Sequence, residues 1–184
     1  WFGELGMWFF IIGLIIAFIN RFTENEIVSA FMEGAKDIMS VVLVIAVARG
    51  ASVLMGETGL DKYVLEHASK ALEGLPAFAF APLSYILYAL LSFVIPSTSG
   101  LATVSMPIMG PLAQNLGYNP AVMVMIFSAA SGILNLFTPT SGVVMGGLAS
   151  AHIEYSTWLK FVGKVLAVLF IVNLIILTVG MMVL

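Results

Sequence analysis

No cysteine occurs in the chain, which excludes disulfides, thiolate metal sites and cysteine nucleophiles. Charge is scarce as well. Only 9% of the residues are charged, against about a quarter in soluble domains, whereas 61% are hydrophobic and the mean hydropathy is +1.10. A soluble domain is excluded, and an integral membrane protein follows. Seven Lys and Arg against ten Asp and Glu give a net charge of −3, so there is no basic footprint for nucleic acid. No strand-length alternation of apolar and polar residues recurs, which argues against a β-barrel. The first residue is Trp, and no basic leader or small-residue cleavage site precedes the first apolar run, so the chain reads as a fragment of a longer one.

What is present is a series of apolar runs long enough to cross a bilayer, which predicts an all-α polytopic protein. Residues 1–19 form a first span, with Trp1 and Trp8 toward one interface. Thr23 and Glu26 have the spacing of a capping box, opening a short helix in the interface. A second span covers 38–54 and contains Arg49-Gly50. Either the arginine faces the bundle interior, at a cost of about 2.5 to 3.5 kcal/mol, or the helix ends at Ala48. Residues 60–72 carry apolar and charged positions on opposite sides at helical spacing, giving a second interfacial helix, with His67 as a packed or interfacial histidine rather than a ligand.

From 76 onward the pattern changes. Residues 77–116 read as a re-entrant hairpin with its tip at Pro96-Ser97-Thr98-Ser99-Gly100, because the second arm reaches only ~24 Å if helical. Asn119-Pro120 starts a helix over 119–152 that is broken at Thr138-Pro139-Thr140-Ser141-Gly142, and 157–184 is the last span. This divides the chain into scaffold-type spans at 1–75 and a transport-type unit at 76–184. Four net crossings then place Arg21, Lys36, Lys160 and Lys164 on the cytoplasmic face.

The two Pro-containing breaks lie about 42 residues apart and carry the chemistry. In hydrocarbon a broken helix exposes amides and carbonyls that only protein or a polar cavity can satisfy. Freed backbone groups, with Ser97, Thr98, Ser99, Gly100, Thr138, Thr140, Ser141 and Gly142, are candidates to bind a coupling cation and an anionic solute near the midplane. Asn135 can offer an amide oxygen or an NH₂ group one turn before the second break. Arg49 joins them for an anion if it lines the site. Thr103 and Ser105 stand just beyond, and Gly142, Gly146 and Gly147 permit close helix approach. The alternative is that the prolines merely kink packed helices in a structural or assembly subunit. An intramembrane hydrolase would need a base beside a nucleophile, such as His152 with Ser99, or paired carboxylates. No Asp or Glu occurs between Glu73 and Glu154. The reading is therefore not an enzyme, with no metal centre beyond a Na⁺ at the two breaks.

The order of these elements, with Ala48-Arg49-Gly50, Pro96-Ser97-Thr98-Ser99-Gly100 and Thr138-Pro139-Thr140-Ser141-Gly142, resembles one transporter group over about 7–184. That group is the YfcC-like and anaerobic C4-dicarboxylate carriers (DcuC-like) of the ion transporter superfamily, and the match is to their C-terminal half. The resemblance implies one inverted-repeat half of a secondary transporter, dimeric, in a bacterial inner membrane, working by alternating access with an N-terminal repeat of the same parent chain. It implies that Ser97, Thr98, Ser99, Gly100, Asn135, Thr138, Thr140 and Ser141 line the site. Members carry dicarboxylates or basic amino acids, so the solute is a small carboxylate or amino acid. Ser-Thr-Ser and Pro-Thr-Ser stand where better-described relatives have Ser-Asn-Thr, which leaves the coupling ion open between Na⁺ and H⁺. No other cofactor is implied.

Overall fold

The computed structural model describes residues 2–95 and 97–184 and is built of helices alone among them. In chain order they are α1 (Phe2–Ile19), α2 (Glu24–Thr58), α3 (Leu60–Leu72), α4 (Ala77–Val94), α5 (Thr98–Asn115), α6 (Pro120–Asn135), α7 (Gly142–Ser150) and α8 (Tyr155–Val183). Three of these, α2, α4 and α8, are long and apolar enough to cross a membrane, while Gly3–Ile19 and α6 are shorter apolar helices. The fold is that of an all-α membrane protein. Trp1 and Pro96, named above for an interface and for the first break, lie outside the described residues.

Residues 24–58 were expected as a short interfacial helix followed by a separate span, and the structure replaces both with one unbroken α2. One half of the expected capping box forms at its start: the Thr23 amide donates to Glu26 Oε2 at 2.7 Å, while the Thr23 hydroxyl donates to the same oxygen at 2.8 Å instead of accepting from the Glu26 amide. No proline interrupts the next 35 residues, so i to i−4 bonding continues through Arg49-Gly50. At 1.5 Å per residue the helix is about 52 Å long, well beyond a ~30 Å hydrocarbon core. It stops at Gly59, whose φ of 68° a glycine adopts without penalty. The alternative that the helix ends at Ala48 is thereby overturned.

The chain divides into two compact units, Trp1–Ser40 and Val41–Leu184, with the boundary inside α2. In the first, Phe10 of α1 meets Phe31 of α2 edge to face at 6.1 Å. The second holds the core. There α4 packs on α6 and α8, α6 also packs on α5 and α8, and α3 lies against α5. Buried Phe80, Tyr85, Tyr88, Leu101, Met109, Met123 and Ile126 fill the space between these helices. The Tyr88 ring meets Phe127 edge to face at 5.4 Å, and Tyr85 lies 5.0 Å from Phe170 of α8.

The turns are specified by local chemistry. Asn119 Oδ1 accepts from the Ala121 amide at 2.9 Å, and Pro120 occupies the first helical position, as the sequence predicts. Before it, Gly117 at φ 80° ends α5 while the Tyr118 amide reaches back to the Ala113 carbonyl. The Tyr118 hydroxyl then donates to the Leu75 carbonyl at 2.6 Å, tying the α5–α6 turn to the α3–α4 turn. Since Asp61 at the other end of α3 lies beside the first turns of α5, α3 and α5 run in the same direction.

Candidate functional site

Both predicted breaks are present, and they meet. Helix α4 ends at Val94, and α5 begins at Thr98 with Ser97 as its N-cap, Oγ accepting from the Gly100 amide at 3.2 Å. Helix α6 ends at Asn135, and α7 begins at Gly142 after the Thr138–Ser141 turn closed by the Ser141 amide on the Thr138 carbonyl. Across the gap Asn135 Nδ2 donates to Thr98 Oγ1 at 3.3 Å, joining residues 37 apart in sequence. One turn before Asn135, and one turn before the first break, a second bond repeats the link: buried Ser92 of α4 and Ser131 of α6 share a hydroxyl pair at 3.0 Å. The hydroxyl-rich segments are therefore held in register by polar contacts on either side of the helix ends.

Individual residues differ in what they offer. Ser97 and Gly100 are half-buried, while Thr98, Ser99 and Asn135 are exposed. Gly100 is a tight position, where a Cβ would stand 3.0 Å from Ser97 Oγ and push that hydroxyl aside. Thr103 turns its hydroxyl back onto the Ser99 carbonyl at 2.8 Å. At the second break Thr138 is buried, and Thr140 Oγ1 is buried with no partner. Ser141 caps α7 through its backbone conformation alone, with no side-chain bond, so the first-turn amides of α7 lack a side-chain acceptor. Gly142 is a close approach: a Cβ there would meet Ile45 Cδ1 of α2 at 3.0 Å. Gly146 and Gly147, expected to serve helix approach too, have nothing within 4 Å.

The carbonyl end of α6 is not open in the way the sequence suggests. Trp158 Nε1 donates to the Leu136 carbonyl at 2.9 Å, and the Tyr155 hydroxyl donates to the Phe137 carbonyl, both from the first turn of α8. The Thr138 amide takes the Leu134 carbonyl at 2.9 Å. These aromatic donors were invisible in the sequence, since nothing there marks an interfacial Tyr or Trp as facing a helix end about 20 residues upstream. Among the described residues no group of three or more His, Asp or Glu could hold a metal ion.

Arg49 settles into the arrangement. It lines a cavity of about 190 Å³ together with Ser52 and Val53 of α2, Asp61 of α3, Ile95, and Ser97, Gly100 and Val104 around the start of α5. The arginine therefore shares a cavity with the start of α5. Asp61 was missed, because an acid in the first turn of an amphipathic helix reads as a solvated charge. His67, by contrast, is exposed, bonded through Nδ1 to the Tyr63 carbonyl and stacked on that ring at 4.0 Å.

Comparison with known proteins places this geometry. Residues 1–182 match the DcuC family, described as C4-dicarboxylate anaerobic carrier. An uncharacterized protein of Haemophilus influenzae is 31% identical over 97% of this chain and 35% of its own length. An Escherichia coli protein named "Putative basic amino acid antiporter YfcC" is 29% identical over 92% of this chain and 36% of its own length. The chain thus spans about a third of the curated relatives it matches. No solved structure matches it. Matched over almost its whole length, the chain belongs to the DcuC family of C4-dicarboxylate carriers, membrane transport proteins.

Proposed function

We propose that this chain is the C-terminal repeat of a secondary active transporter for small carboxylate-bearing solutes, dicarboxylates or amino acids, driven by ion coupling or exchange. The observation that carries the reading is the Asn135–Thr98 bond, which joins two separate helix breaks into one polar locus. A kink that served packing alone would turn its hydroxyls back onto its own helix. Here Thr98, Ser99 and Asn135 are exposed, and the partnerless Thr140 hydroxyl stands at the second break.

In this reading the solute carboxylate is held by the hydroxyls of Ser97, Thr98 and Ser99 and by the amide end of α7 behind Thr140, Ser141 and Gly142. Helix N-termini carry partial positive charge and unpaired N–H groups. Thr138 and Asn135 support the second break, and Arg49 adds a full positive charge from α2. The α4–α5 pair is a re-entrant hairpin whose tip reaches the membrane midplane, although α4 has the length of a full span. The unit 76–184 then moves solute, and the coupling Na⁺ or H⁺, past the scaffold 1–75 by alternating access. The N-terminal repeat of the parent chain completes the site, and the transporter works as a homodimer in a bacterial inner membrane.

The test is uptake of labelled succinate, arginine and ornithine by proteoliposomes of the full-length protein, with and without a Na⁺ gradient, alongside Ser99→Ala and Thr140→Ala. Uptake of one solute, lost in both variants while folded protein is retained, is the expected result. Absence of uptake, with single cysteines at 99 and 140 unreactive toward water-soluble thiol reagents, would overturn the proposal.

A further inference from the structure

The cavity beside the hairpin tip carries both signs of charge. Arg49 supplies a guanidinium from α2 and Asp61 a carboxylate from the first turn of α3, and Ser52 and Ser97 also line the cavity. The two charges do not neutralise one another, since no ion pair joins them. Asp61 is only 7% exposed, yet its single hydrogen bond is from the adjoining Lys62 amide to Oδ1 at 2.8 Å. A carboxylate has about four acceptor sites, so this one keeps acceptor capacity free for a ligand in the cavity. Ser52 Oγ is likewise buried and without a partner.

We infer that this cavity binds the α-amino acid group of the solute, with Arg49 on the carboxylate and Asp61 on the ammonium. The inference rests on the transporter reading above, moves the carboxylate from the start of α7 to Arg49 and Ser97, and narrows the substrate class to α-amino acids. Size agrees: about 190 Å³ lies below the ~300 Å³ at which drug-sized ligand pockets begin, so a small head group is what fits. Charge agrees as well. A planar guanidinium pairs with a carboxylate through two parallel hydrogen bonds, and Ser97 stands beside it at the α5 N-cap. A dicarboxylate in the same place would bring its second negative group against Asp61, and that repulsion discriminates as effectively as any added contact. Asp61 therefore decides between the two solute classes.

The experiment measures binding and uptake separately on the full-length protein. Equilibrium binding of labelled L-arginine, L-alanine and succinate is determined in detergent for the native chain, Asp61→Asn, Arg49→Gln and the exchanged pair Arg49→Asp with Asp61→Arg, each verified as monodisperse. Saturable amino-acid binding is expected, weakened about thirtyfold or more by Asp61→Asn, as for loss of one partner of a buried charge pair. Succinate binding is expected to be weak in the native chain and no weaker in Asp61→Asn. Agmatine, which lacks the carboxylate, is expected to compete poorly and to be indifferent to Arg49→Gln. Amino-acid binding that survives Asp61→Asn, or that returns fully in the exchanged pair as it would for a structural ion pair, overturns the inference. Uptake of a solute unaffected by Asp61→Asn overturns it too while leaving the transporter reading intact. Asp61-dependent binding without any uptake sustains the inference and removes the transporter reading instead.

Discussion

The hydroxyl pair between Ser92 and Ser131 gives the sharpest energetic test of how the two breaks are aligned. Ser92 is 9% exposed and Ser131 3%, their oxygens are 3.0 Å apart, and they sit on different helices 39 residues apart in sequence. Replacing either one by Ala leaves the other hydroxyl buried without its cross-helix partner. Such a loss costs about 1 to 3 kcal/mol in water-soluble cores, and interhelical bonds inside membranes average about 0.6 with a maximum near 1.7 kcal/mol. Ser131→Ala is therefore expected to destabilise by about 1 kcal/mol, roughly fivefold in the unfolding equilibrium. Replacing both removes the unsatisfied group, so Ser92→Ala with Ser131→Ala together should cost less than the two single changes added. The assay is reversible unfolding of the full-length protein in mixed micelles, titrated with denaturing detergent and followed by tryptophan fluorescence. Additivity within about 0.3 to 0.5 kcal/mol would refute the reasoning, because independent sites add to that precision. Each hydroxyl would then be served by its own helix, and the register of α4 on α6 would come from side-chain packing alone.

Two further outcomes follow from the same contacts. Gly100→Ala places a Cβ 3.0 Å from Ser97 Oγ and should cost about 1 kcal/mol of thermal stability by displacing the N-cap hydroxyl; in a Ser97→Ala background the added cost should shrink. Trp158→Phe removes the donor to the Leu136 carbonyl and should loosen the second break, which a single cysteine at buried Thr138 would report as faster thiol labelling on an otherwise cysteine-free chain; unchanged labelling would mean that Tyr155 alone holds the turn.

How much was legible in the sequence depended on whether a feature was local. The two breaks, the Glu26 half of the Thr23–Glu26 box and the Asn119-Pro120 start are short-range patterns that the structure shows near their predicted places, with Thr98–Gly100 and Gly142 already helical. Helix α2 was divided in two because Glu33, Lys36 and Asp37 lower the local hydropathy, and hydropathy was allowed to stand for helix continuity. Backbone bonding ignores polarity, and without a proline there was no reason for the helix to stop. The site was legible in kind but not in membership. Ser97, Thr98 and Asn135 could be named, whereas Asp61, Tyr155 and Trp158 could not, since only the packing of α3 on α5 and the contact of α8 with the α6 end bring them in.

The balance of donors and acceptors around the two breaks bears on what they can bind. An orphan backbone group in hydrocarbon costs several kcal/mol, so each must be met by protein or by a ligand. At the end of α6 several acceptors are met: the carbonyls of Leu134, Leu136 and Phe137 receive the Thr138 amide, Trp158 and Tyr155. At the start of α7 the donors lack a side-chain cap, because Ser141 makes none. Arg49 adds donors to the cavity at the tip, opposite a single buried acid. The start of α7 thus offers uncapped donors, while the end of α6 has several of its carbonyls already engaged. A Na⁺ ion would have to draw its ligands from hydroxyls and from the spare lone pairs of carbonyls already engaged, a weaker set than the free helix C-terminus that the sequence suggests.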